Sequence, residues 1–116
     1  MRWTALPLFK GMEVAALWGD PSVGPYGAFV KLPANTNHTL HTHARDRKVV
    51  VMSGLFLYGP EGGPEKTFGG GSYLMIPAGL KHTTGCAAGA PCILFQEQAG
   101  KLDNKAAVPT IVPKNK

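Results

Sequence analysis

Apolar positions in this chain fall in short runs, many of them alternating with polar ones, and glycine and proline cut the runs at close intervals. Residues 14–18 predict a first strand, stopped at Gly19-Asp20-Pro21-Ser22, and residues 26–32 a second, ended by Pro33. The histidine-bearing strand follows an Asn35-Thr36-Asn37 turn. Residues 48–54 form a β-branched run that ends in glycine and leads into an apolar stretch at 55–58. Gly59-Pro60-Glu61-Gly62-Gly63-Pro64 predicts a loop, Gly69-Gly70-Gly71 a turn before a strand at 72–76, and residues 92–98 a last core strand. No stretch sustains helical periodicity. With 15 Gly and 10 Pro in 116 residues, the expected architecture is all-β: one domain over 1–116, a small antiparallel barrel or jelly roll with its core at about 13–98. Phe29, Phe56, Met75 and Phe95 are expected in that core, and Trp18 over a barrel end or a subunit interface.

Composition narrows the partners. Hydrophobic residues make up 44% of the chain, but no apolar run approaches a membrane span, so a soluble protein without a membrane partner is expected. The net charge of +5 does not point to nucleic acid, because Lys101, Lys105, Lys114 and Lys116 cluster in a basic C-terminal segment, 101–116, expected to be a solvated tail. No basic stripe interleaved with aromatics occurs elsewhere. The apolar stretch in residues 1–9 is short and broken by Pro7, so no secretory leader is visible, although one removed earlier would leave the same sequence. Cys86 and Cys92 flank a five-residue turn; they suit either a disulfide in an oxidising compartment or two reduced thiols, which leaves periplasm and cytoplasm both open.

The candidate chemistry lies in the histidines. There are four, three of them in His38-Thr39-Leu40-His41-Thr42-His43, with His82 following a Pro-x-Gly turn. Residues two apart in a strand share a face, so His41 and His43 project together. With His82 from a distant strand they form a three-histidine set for a divalent cation, with coordination positions left over for water or substrate. His38 has the opposite strand parity and is expected at the rim.

The same residues resemble a small single-domain cupin of the RmlC-like superfamily. The first cupin motif is matched by His41, His43 and Gly54, with Asn35 at its leading glycine and Arg47 at its glutamate. The second is matched by Gly71, Pro77, Gly79 and His82, with Cys86 at its asparagine, and sixteen residues separate Gly54 from Gly71. Leu17-Trp18-Gly19-Asp20-Pro21, Gly24-Pro25-Tyr26-Gly27 and Glu61-Gly62-Gly63-Pro64 resemble a branch of small bacterial cupins of unknown function.

Arg47 is the informative departure. A guanidinium cannot ligate a cation, so the family's fourth ligand is missing and the site reduces to three neutral imidazoles. Asp46 is the alternative fourth ligand. Alternation places Arg47 with Val49 and Val51 on the histidine face, where it would hold an anion; a bend near Asp46 would instead turn it to solvent. Tyr58, Tyr73, Gln96 and Gln98 are further polar candidates to touch a ligand, with Arg47, Tyr58 and Gln96 foremost. Cys86, close to His82 in the motif, is a lesser candidate nucleophile, and cysteine ligation beside His82 would make the site closed and structural.

The resemblance implies a metal-dependent enzyme. Some cupins without the glutamate hold iron on three histidines and cleave small enolisable molecules with dioxygen, so iron(II) is the first expectation and zinc, manganese, nickel or copper the others. A non-redox isomerase, or a non-catalytic sensor such as the zinc-holding cupin part of anti-sigma factors, is the alternative. A small-molecule ligand and a homodimer are the expected partners.

Overall fold

The computed structural model describes residues 2–5 and 10–110. Among them the strands are β1 (Thr4–Ala5), β2 (Glu13–Gly19), β3 (Tyr26–Leu32), β4 (Thr36–Thr42), β5 (Arg47–Ser53), β6 (Phe56–Pro60), β7 (Lys66–Phe68), β8 (Tyr73–Ile76), β9 (His82–Cys86), β10 (Cys92–Gln98) and β11 (Lys105–Ala106). They form two antiparallel sheets, β1-β2-β3-β10-β5-β8 and β11-β4-β9-β6-β7. No helix among the described residues is long and apolar enough to cross a membrane.

Strict alternation sets which side chains fill the space between the sheets. In β10 every second residue is buried, Cys92, Leu94, Gln96 and Gln98, and in β5 Val49 and Val51 are buried. Register then builds inner rows across the sheet. Tyr26, Gln98, Arg47 and Ile76 form one row, and Ala28, Gln96, Val49 and Leu74 the next. The first row is polar at its centre, which is unusual for a core and marks the end of the barrel where the histidines sit. The outer face carries Phe29 and Phe95, half-buried with ring centroids 5.7 Å apart, and Met75, which is largely exposed. Of the four residues expected in the core, only Phe56 lies there, because the parity that buries Ala28 and Leu94 turns Phe29 and Phe95 outward.

The motif glycines are explained by backbone sign. Gly54, Gly71 and Gly79 all have positive φ, a region that side chains with a Cβ rarely adopt. Asn35, at the motif's remaining glycine position, takes φ of 59°, the left-handed conformation that asparagine tolerates best after glycine. The substitution therefore preserves the turn before β4.

Cys86 of β9 and Cys92 of β10 are joined by a disulfide, with Cα atoms 5.8 Å apart. The bond ties one sheet to the other and leaves Cys86 neither nucleophile nor ligand. Residues 101–110 differ from the expected solvated tail: Leu102 is buried, its N–H donates to Pro21 O, β11 pairs with Thr42 and His41, and Lys81 Nζ donates to Val108 O. This segment straps the outside of the histidine strand. Lys114 and Lys116, also assigned to the tail, lie outside the described residues.

Candidate metal centre

His41 and His82 face each other across the β4–β9 pair, and His43 follows directly after β4. Their ring centroids lie 4.3 Å (His41 to His82), 4.9 Å (His43 to His82) and 5.0 Å (His41 to His43) apart. One ligand atom from each can be chosen so that all three lie within 4.8 Å of one another. All three residues are buried, at 2%, 2% and 0% exposure.

The hydrogen bonds select the tautomer. Nδ1 of His41 meets Thr39 O at 2.6 Å, Nδ1 of His82 meets Leu80 O at 2.8 Å, and Nδ1 of His43 meets Asp103 O at 2.8 Å. A carbonyl only accepts, so each Nδ1 must carry the proton and each Nε2 is left with its lone pair. Nε2 of His43 and of His82 are buried without a hydrogen-bond partner. A bare buried acceptor costs about 1–3 kcal/mol, a cost that a cation taking the lone pair removes. The three residues therefore fit a divalent ion, and backbone carbonyls fix ring orientation as outer-shell partners do in histidine metal sites.

Electrostatics agree. Burial, then the positive charge of Arg47, then His41 push the His43 imidazole down to about 2; burial, partly opposed by the Leu80 hydrogen bond, takes His82 to about 4, and burial also lowers His41. The rings are neutral near pH 7 and do not have to shed protons to accept a cation.

Arg47 points inward, as alternation predicts, and not to solvent. Its Nη2 donates to Gln98 Oε1 at 3.2 Å and to Asp103 O at 3.0 Å, while its buried Nε has no partner. Around it runs a polar network: Gln96 Nε2 donates to Tyr26 Oη (2.7 Å), Tyr26 Oη donates to Gln98 Oε1 (2.6 Å), and Asp103 Oδ2 accepts the Ala44 N–H (2.8 Å). Tyr58 is half-buried beside the triad, its ring centroid 5.7 Å from that of His82. Asp46 is exposed and caps Ala78 N at 2.8 Å, so it serves the Pro77 turn and is no fourth ligand. Tyr73 is 60% exposed on the outer face.

Two residues go beyond the sequence reading. His38 does not sit at the rim: between the pairs His38–Thr84 and His41–His82, β4 spends three steps and β9 two, a bulge that resets parity and turns His38 onto the inner wall. Its Nδ1 lies 3.2 Å from Thr84 Oγ1, and burial brings the ring down to about 4. Asp103, hidden among the lysines of the supposed tail, holds both His43 and Arg47 through its carbonyl.

Two sheets closing around a buried three-histidine cluster define a cupin with a possible metal site. The chain belongs to the ChrR cupin-like domain family, which it matches over residues 1–100. Solved structures agree on the fold. DMSP lyase DddQ from Ruegeria pomeroyi is similar at TM-score 0.68 and 21% identity, over 94% of this chain and 60% of that one. KdgF from Halomonas sp. gives 0.67 and 17% over 85% and 88%, and an RmlC-like cupin with a double-stranded β-helix fold from Methanocaldococcus jannaschii 0.64 and 14% over 88% and 92%. No curated protein sequence matches the chain.

Proposed function

We propose that this cupin is a metal-dependent enzyme that holds a divalent cation, iron(II) foremost, on His41, His43 and His82 and oxidises a small enolisable or anionic organic molecule with dioxygen. The observation that carries the reading is the set of three Nε2 atoms, presented by proton-fixed rings, with Arg47 at the sequence position of the usual carboxylate ligand. When bound, the cation supplies Lewis acidity and, as iron, an electron route to dioxygen. The chain's own residues do the remainder. Arg47 adds a second positive charge that favours an anionic substrate, Tyr58 and Gln96 offer a hydroxyl and an amide to orient it, and the apolar walls keep water out.

A second reading, a non-catalytic binding or sensor module holding zinc, is supported by the near-complete burial of the triad and by the ChrR cupin-like match. Oxygen uptake separates the two. Iron(II)-loaded protein with a panel of small keto acids and β-dicarbonyls is expected to consume oxygen, and His82→Ala is expected not to. Retained zinc with no uptake on any substrate favours the binding module, and turnover without oxygen favours an isomerase.

A further inference from the structure

Beside the triad the barrel encloses a chamber of about 30 Å³. His38, His41, Arg47, Thr84 and Gln96 supply its polar wall, and residues such as Val49, Phe56 and Ile76 the apolar one; no carboxylate lines it. A water needs roughly 10–15 Å³ of such space, so the chamber admits a group of about two or three heavy atoms and no larger organic body. Arg47 brings a cation to this wall, with Nη2 committed to Gln98 and Asp103 and the buried Nε without a partner. An unmet donor on a buried cation, facing no acid in the chamber, calls for an acceptor that also carries negative charge.

We infer that this chamber receives a carboxylate-sized monoanion, held by Arg47 with the His38–Thr84 pair on the same wall. As the anionic head of a substrate the inference rests on the enzyme reading above, but anion binding itself can be read without any metal. A free anion such as formate or azide and the head of a larger carboxylate share this chemistry, and chain length distinguishes them.

The test is thermal denaturation of the metal-free protein with sodium formate, azide, acetate, propionate or benzoate, against chloride at equal ionic strength. Formate and azide are expected to raise the midpoint by about 4 °C or more when present well above their dissociation constants, and benzoate to leave it unchanged. A rise that stops at formate and azide identifies a free small anion; one that persists through propionate identifies a head group. Arg47→Met is expected to abolish the rise. Val49→Leu, which adds one methylene to the chamber wall without touching the bonds of Arg47, is expected to fold and to weaken formate at least tenfold. No rise shows water alone in the chamber; that result, an equal rise in both variants, or benzoate matching formate overturns the inference. Metal content measured on the same samples reads the metal site separately: a formate effect without metal binding counts against the proposed function only, and metal binding without a formate effect against this inference only.

Discussion

Asp103→Ala isolates the contribution of the C-terminal strap to the metal centre. The carboxylate accepts the Ala44 N–H at 2.8 Å and lies 3.4 Å from Gln98 Nε2, while the carbonyl of the same residue holds His43 Nδ1 and Arg47 Nη2. Losing a charge-assisted hydrogen bond at a partly exposed position, plus one long contact, costs about 2 kcal/mol, or about 8 °C in the midpoint of a domain this size. The second effect concerns function. Without the Ala44 tether the peptide at 103 can rotate, His43 loses the acceptor that fixes its tautomer, and divalent metal affinity is expected to fall about tenfold or more. Asp103→Asn keeps an acceptor for Ala44 and is expected to recover most of the metal affinity. Urea denaturation of the metal-free proteins measures the first effect, and competition with a chromophoric chelator the second. If Asp103→Ala loses stability but binds zinc as tightly as the unmodified protein, the strap is only a loop tether and the reasoning fails.

Two further outcomes follow from the packing. His38 and His82 are lowered to about 4 and His43 to about 2, so these three stay neutral in the folded protein between about pH 6.5 and 4 while the unfolded chain takes up protons below about 6.5; burial lowers His41 as well. Stability of the metal-free protein is therefore full above that pH and falls as the pH drops from 6.5 toward 4, by up to about 1.4 kcal/mol per pH unit for each of His38, His43 and His82; a flat midpoint between pH 7 and 5 would contradict the burial of these rings. Gly85→Ala would set a Cβ 2.4 Å from Thr36 O, in backbone that cannot yield, and is expected to cost about 3 kcal/mol. Gly27→Ala meets the half-exposed Trp18 indole, which can swing aside, and should cost much less in the same melt.

Much of this architecture was legible because alternation is a strong signal where one face is buried. Residues 26–32 and 92–98 were placed to the residue, and counting by twos put Arg47, Val49 and Val51 on the histidine face. Counting failed where the backbone breaks period. The bulge between His38 and His41 cannot be seen in Thr39-Leu40, two residues that suit an ordinary strand equally well. Phe29 and Phe95 misled in the opposite sense: their size suggested core, but the small Ala28 and the polar Gln96 hold the inward positions. Asp103 was invisible for a third reason. It acts on His43 through a main-chain carbonyl, which any residue possesses, across sixty positions of chain and from within a lysine-rich stretch that reads as solvated.

Whether three imidazoles hold a cation without a carboxylate is decided by elemental analysis of the unmodified protein and His82→Ala after loading with iron(II) or zinc and gel filtration. About one ion per chain is expected in the first and little in the second, with the variant still folded by circular dichroism. Equal occupancy in both, or no bound ion in either, would contradict it.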